Sequence, residues 1–374
     1  MKYLPFVILL LGLGVGCSSP QKEKEEKAVF NVCLDMAVSA PSIKTIQYIP
    51  LETNDSSLIG EVSKIVCRNH RFYILDKRQN QVLVFGEKGD FITSIHRVGN
   101  GPDEYVMAYD MDIDSMGCVY IADVSQQCIV RYSGAHYDQC HRIKVGKTFL
   151  EFAVSTPERI YLSGVSQTEG VIDVGLAAFD TERNRLDVLE KSLYGDELAT
   201  MLFSRQHLFR SADRLLFYKR YSPHIYRLAE GGKTLYLFLD TDKIPTAEKV
   251  DTWRKDRQPN PTVRETSIRD ISALYETDSL VYMTLQTFPP SYALFSKNEG
   301  RTICFSFIDD KRYWGNMGAY TVSGNRFVSY CLPKPELIGY ILKNNVLPSG
   351  LSQQIALLTE DDNPLLVLYD FVWE

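Results

Sequence analysis

The sequence has little histidine, six residues in 374, and none of them opens a His-Glu-x-x-His pair. Gly-x-Ser-x-Gly and Cys-x-x-Cys are absent as well. These gaps remove the usual signatures of zinc hydrolases, of serine hydrolases with a nucleophile elbow and of dithiol redox sites. Positive charge is not in excess: 41 Lys plus Arg face 47 Asp plus Glu, for a net charge of −6. A mildly acidic surface does not seek phosphate backbones, so no nucleic-acid partner is expected. Long apolar runs are missing too, since Leu4 to Val15 falls short of the about 20 residues that a spanning helix needs. With 45% hydrophobic and 24% charged residues, the chain is neither disordered nor collagen-like. No reaction, cofactor or metal can be read from this inventory.

The apolar run follows Met1-Lys2 and ends in the small residues Gly14-Val15-Gly16 before Cys17. That layout reads as a cleaved signal over residues 1–16. It resembles a bacterial lipoprotein signal, in which Cys17 becomes the acylated first residue and ties the protein to a lipid bilayer. An ordinary secretory signal with an incidental cysteine is the alternative. Ser18 to Lys27 contains no apolar residue, so residues 17–41 are expected to form a flexible tether. Lys24-Glu25-Glu26 resembles the acidic surface-export signals of Bacteroidetes lipoproteins. Outer-membrane placement facing the periplasm and placement at the cell surface both stay open. The seven cysteines after Cys17 are odd in number and are expected to be mostly free thiols on strands.

Residues 42–374 carry an internal repeat. Arg71 to Asp76, Val82 to Phe85 and Phe91 to Ile95 read as three short strands joined by polar turns, with a fourth before them at Gly60 to Cys67. The pattern returns one blade length later, where Asp123 matches Asp76 and Tyr132 matches Phe85. Four-stranded units of about 40 to 50 residues are the period of a β-propeller. Weaker copies follow near residues 151–189, 203–239, 268–307 and 318–371, which makes six. The last copy lacks an outer strand, and Thr45 to Leu51 can supply it from the other end of the chain, closing the ring and removing exposed edges. The expected fold is therefore all-β, a six-bladed propeller of four-stranded antiparallel blades. Three interruptions, at residues 194–212, 241–267 and 333–359, have helical segments at Tyr194 to His207, Thr246 to Lys255 and Pro335 to Leu347. Two separate β-sandwiches are the competing architecture.

Tyr48 to Thr53, the strand pair Phe72 to Asp76 and Val82 to Phe85, Arg97 to Tyr105, and Asn363 to Leu368 resemble the six-bladed β-propeller lipoproteins of Bacteroidetes. The first two blades also resemble NHL-type repeats. Val98 and Asp103 stand where that family's connecting motif has glycine. The resemblance implies fold and export, and brings no settled reaction.

In a propeller, the loops entering each inner strand and those between second and third strands share one face, where ligand sites gather. On that rule the expected mouth residues are Asp76, Arg78, Arg97, Asn100, Glu104, Tyr105, Asp123, Tyr221, His224 and Gln286. Arg97 to Tyr105 reads either as a ligand loop or as a structural corner between blades, with Glu104 paired to Arg97; the corner is favoured because glycine and proline already explain its shape. Asp76 and Asp123 read better as turn caps than as a cation ring. His136, Cys140 and His141 fall on a hairpin that sends alternate side chains to opposite sides, so no metal site is expected. The mixed mouth suits a glycan, a peptide or an envelope protein. A binding module is thus expected, with a propeller hydrolase or lyase acting on an extracellular polymer and a structural subunit of an envelope complex as alternatives.

Overall fold

The structure, a computed structural model, describes residues 29–34, 40–167, 174–192, 207–246, 249, 252, 267–315 and 318–373. Two strands, β1 (Phe30–Cys33) and β2 (Ile43–Pro50), precede the first blade. Blade one is β3 (Lys64–Arg68), β4 (Arg71–Asp76), β5 (Gln81–Gly86) and β6 (Phe91–Ile95). Blade two is β7 (Asp110–Ile113), β8 (Val119–Asp123), β9 (Cys128–Ser133) and β10 (Gln139–Lys144). Blade three is β11 (Glu151–Thr156), β12 (Arg159–Val165), β13 (Val174–Asp180) and β14 (Arg185–Lys191). Blade four is β15 (Leu208–Ser211), β16 (Arg214–Tyr218), β17 (His224–Ala229) and β18 (Gly232–Asp240). Blade five is β19 (Ile271–Glu276), β20 (Leu280–Leu285), β21 (Ser291–Ser296) and β22 (Arg301–Phe305). Blade six begins with β23 (Thr321–Ser323) and β24 (Arg326–Cys331), passes through helices α1 (Pro335–Asn344) and α2 (Ser349–Ala356), and resumes with β25 (Leu365–Phe371).

The sequence explains why these strands are nearly continuous apolar runs. Successive side chains of β4 point to opposite faces, and both faces are covered. Tyr73 and Leu75 pack against Val119 and Ile121 of blade two, whereas Phe72 and Ile74 pack against Val328, Leu366 and Leu368 of blade six. Each blade is thus sandwiched between its neighbours, so a strand read in isolation shows no polar face.

The ring closes as the sequence implies. β2 lies antiparallel beside β25, from Ile43 opposite Phe371 to Pro50 opposite Leu365. Val372 N donates to Ser42 O at 2.9 Å and extends the ladder. The six antiparallel sheets form a six-bladed β-propeller.

Two expectations change. The tether does not run to residue 41, because β1 joins blade four as a fifth strand, parallel to β18, with Phe30 opposite Leu237 and Cys33 opposite Asp240. Its alternation buries Val32 and Leu34 and sets the Phe30 ring 5.8 Å from Tyr236 and 5.6 Å from Phe295 of blade five. Residues 17–28 lie outside the described residues, as do 1–16. Of the helical interruptions, the third contains α1, started by Pro335, and a second helix, α2, that its composition did not announce. Lys249 and Thr252 fall in helix; the remainder of 247–266 and all of 193–206 lie outside the described residues. Cys33, Cys67, Cys118, Cys128, Cys140, Cys304 and Cys331 are all free thiols.

Candidate functional site

The inner strands β3, β7, β11, β15, β19 and β23 neighbour one another around the central axis. Because strands alternate in direction within a blade, the connection into each inner strand and the turn after each second strand open onto one face, the mouth. The β24–β25 connection, which carries α1 and α2, belongs to that face. Among the described residues no helix is long and apolar enough to cross a membrane.

Ionisable side chains stand where the inner strands begin. Lys64 Nζ donates to Asp110 Oδ1 at 2.7 Å, and Asp110 Oδ2 accepts from Phe152 N at 3.2 Å. Burial would lower the Lys64 ammonium, but Asp110 and Asp112 outweigh it and raise it. Glu151 Oε2 accepts from His207 N at 2.8 Å. Burial, reinforced by the Asp110 charge, pushes the Glu151 carboxyl up to about 8. Burial and Arg220 hold His207 down to about 3, so its ring is neutral. Asp270, 2.8 Å from Arg220, is nonetheless pushed up to about 6 by burial.

One layer deeper the channel is shut. Arg210 of blade four donates through Nε and Nη2 to Asp112 of blade two, at 2.6 and 2.5 Å. Asp112 Oδ2 also accepts from Val154 N of blade three at 2.7 Å. Arg68 then donates to Ile113 O at 2.8 Å and pairs with Asp213. A void of about 10 Å³ lies beside Val66, Asp112, Ala153 and Arg210. Above this plug a cavity of about 200 Å³ opens between blades one, five and six, lined by Ser63, Lys64, Ser272, Tyr275, Thr284 and Tyr320. A larger groove of about 430 Å³ lies between blades two and three. Its basic wall is engaged in structure: Arg142 donates to Gln126 Oε1 at 2.6 Å and to Gly101 O at 3.0 Å, and Arg131 lies 3.2 Å from Cys118 Sγ.

The residues expected at the mouth divide sharply. Asp76 and Asp123 are buried caps: Asp76 accepts from Gly60 N at 2.6 Å and Gln79 N at 3.0 Å, and Asp123 from Val106 N at 2.7 Å and Ser125 Oγ at 2.5 Å. Tyr105 is buried, its hydroxyl 2.9 Å from both Asn80 O and Ile95 O. Arg97 does not pair with Glu104; it donates to Tyr137 O at 3.1 Å and lies over the Tyr132 ring. Glu104 Oε2 instead accepts from Gly101 N at 2.8 Å, and a Cβ on Gly99 would sit 2.0 Å from that oxygen. Arg97 to Tyr105 is therefore a structural corner. Asn100 is exposed and takes Gln126 Nε2 at 3.2 Å, and Arg78 is exposed on the β4–β5 turn. His224 lies on blade four against Phe238, with ring centroids 5.6 Å apart, and Tyr221 occupies the β16–β17 turn at φ 59°. Gln286 alone of the ten touches the cavity wall, its Nε2 donating to Ser272 Oγ at 2.7 Å.

Sequence reasoning missed Lys64, Asp110, Asp112, Glu151, His207 and Arg210. One signal was available: Asp110 and Asp112 alternate with Met111 and Ile113 on β7, and both carboxylates are buried. Alternation at period two puts those carboxylates on a single face.

A family profile described as a domain of unknown function (DUF4934) matches residues 36–370. The fold is similar to that of a Bacteroides fragilis NCTC 9343 protein whose name describes it as a candidate exported protein. That match has a TM-score of 0.75 at 17% identity, over 92% of this chain and 100% of that one. A member of the DUF4221 family from Bacteroides vulgatus aligns over 89% of this chain and 97% of its own, with a TM-score of 0.49 at 9% identity. At 17% identity the likeness to the Bacteroides fragilis protein speaks to fold alone. No curated protein matches the chain by sequence.

Proposed function

We propose that this chain, which belongs to the DUF4934 family, is an exported binding module that recognises a glycan, a peptide or an envelope protein at its propeller mouth. The observation that carries the reading is a mouth cavity of about 200 Å³ seated on a closed channel. The Asp112–Arg210 pair spans the axis beneath this recess, and rigid blades hold the recess and its loops in fixed positions. The β24–β25 connection, with α1 and α2, opens on the same face and can serve as further contact surface. Export is supported by the signal-like residues 1–16 and by the name of the Bacteroides fragilis relative. Acylation of Cys17 would then hold the protein on the outer membrane, facing the periplasm or the cell exterior.

A second reading, a propeller hydrolase or lyase, is favoured by one observation: the Glu151 carboxyl, at about 8, stands near Asp110 and Lys64 and would carry a proton at neutral pH. Such a group can act as a general acid. The two readings separate in one set of measurements on the processed protein. Saturable binding to a glycan or peptide array that is weakened by Tyr320→Ala, with no turnover of the bound ligand, supports the binding module. Turnover of an extracellular polymer that is lost in Glu151→Gln overturns it. In cells, Cys17→Ser is expected to shift the protein from membranes to the soluble fraction.

A further inference from the structure

We propose that the mouth face of blades five and six is a docking surface for the apolar patch of a second, different protein. This rests on the mouth being the binding face and names the partner class.

Exposed apolar side chains gather there. Phe288 stands on the β20–β21 turn, Phe307 and Trp314 on the β22–β23 connection, and Leu332, Val346 and Leu357 on the β24–β25 connection. These three segments follow one another around the mouth. Val346 is fully exposed, Leu357 is 80% exposed and Phe288 70%. Among the described residues, the turns on the opposite face carry one such side chain, Met116. Apolar side chains crowded onto one face and interspersed with charge mark an interaction surface. The sector is also stiff. Arg312 O accepts from Tyr48 Oη at 2.6 Å and from Asn345 Nδ2 at 3.1 Å, Tyr48 Oη accepts from Trp314 N at 3.0 Å, and the Trp314 ring lies 4.7 Å from Tyr340 of α1. The β22–β23 connection, α1 and β2 are thereby fixed to one another, so docking orders little that is not already ordered.

Three observations choose the occupant. Leu332, Val346 and Leu357 carry branched aliphatic side chains, which offer sugar hydroxyls no hydrogen bond. The exposed charges among them, Lys334, Glu336, Lys343 and Glu360, are of both signs, so the sector has no cationic cluster for an anionic lipid surface. The place where the chain enters the ring supplies the direction. β18 runs toward the mouth, since the connection into β19 follows it, and β1 lies parallel to β18, so Phe30 is the end of β1 farther from the mouth. Residues before Phe30 therefore join the ring from the side away from the mouth, and a bilayer holding an acylated Cys17 lies on that side. A second copy docked mouth to mouth would turn its own anchor away from that bilayer. A different protein with an apolar patch fits all three.

The test places a photo-cross-linking side chain, benzoylphenylalanine, at Phe288, Val346 or Leu357, with Met116 as the control position, in the anchored protein in its own cells. Irradiation is expected to join the three mouth positions, and not Met116, to one other protein. That protein, once purified, is expected to bind the parent and to lose affinity at least about tenfold when Val346→Asp and Leu357→Asp are combined. The melting temperature of the paired variant should stay within about 2 °C of the parent, because both side chains are exposed. Adducts between two copies of this chain, adducts within one chain, equal adducts at Met116, or none at all overturn the proposal. So does sedimentation of the Cys17→Ser protein with phosphatidylethanolamine–phosphatidylglycerol vesicles that the paired substitution abolishes. If no adduct forms while a glycan or peptide still binds in a manner sensitive to Tyr320→Ala, the partner class is wrong and the mouth reading stands. If neither is seen, both fall.

Discussion

Glu276 closes β19 with its carboxylate wholly buried among cations. Lys297 Nζ lies 2.5 Å away, Arg227 3.0 Å and Arg214 3.6 Å, and Tyr236 donates its hydroxyl at 2.6 Å. Burial pushes the carboxyl up, but Lys297, Tyr236 and Arg227 outweigh it and hold it below the usual glutamate range. A carboxyl depressed in the folded state stabilises fully above its unfolded value, and the contribution is lost as pH falls through the folded one. Glu276→Gln is therefore expected to cost at most about 3–5 kcal/mol near neutral pH, because Lys297 and Arg227, both partly buried, lose their carboxylate while Arg214 keeps Asp278. In urea titrations the gap to the parent should narrow as the pH drops below the ordinary glutamate range; a constant gap would contradict this account. The sequence gives no hint of this cluster, since its members come from β16, β17, β18, β19 and the turn after β21. The ionisable groups at the mouth are illegible for the same reason: Lys64, Asp110 and Glu151 belong to separate blades and meet only when the ring closes. Caps differ, because a turn needs only its own few residues, and Asp76 and Asp123 could be read as caps from their positions alone.

At the scale of elements, β1 and β2 both reach the propeller from the N-terminal side but play unequal parts. β2 was legible because a strand without a partner stood at one end of the chain and an incomplete blade at the other. β1 was not, because Phe30, Val32 and Leu34 follow a charged stretch and pair with an edge that already looked complete. A chain beginning at residue 40 loses β1 and the burial of those three side chains, each worth about 1.5–3 kcal/mol at most. It is expected to remain folded with a lower melting temperature and to bind more of an apolar dye along the bared β18. A chain beginning at residue 52 loses β2 as well and leaves the outward edge of β25 unpaired. That chain is expected to show no cooperative melt and to aggregate on size exclusion, because an uncovered strand edge recruits other chains. Equal behaviour of the two truncations would remove the distinction. α2 escaped notice since it is only eight residues long and buries a single side chain, Ile355, which leaves almost no periodic signal.

The whole molecule is a ring whose ends meet in blade six, with Ser42 and Val372 joined by a hydrogen bond of 2.9 Å. A short linker from Trp373 to residue 40, with new ends cut in the exposed Glu182–Asn184 turn, is expected to fold with a melting temperature within a few degrees of the chain that begins at residue 40. Failure of that permutant in thermal melts would show that chain order, beyond closure, determines the fold. Blade count and closure were legible because each blade repeats the same local pattern; the plugged channel was not, because Asp112 and Arg210 meet across the axis from blades two and four. The position of β1 also decides how the ring bears a pull. Tension entering from the N-terminal side reaches the four residues of β1 before the eight of β2. β1 can tear from β18 while β2 still holds blade six shut, so the outer strand is a fuse wired ahead of the lock.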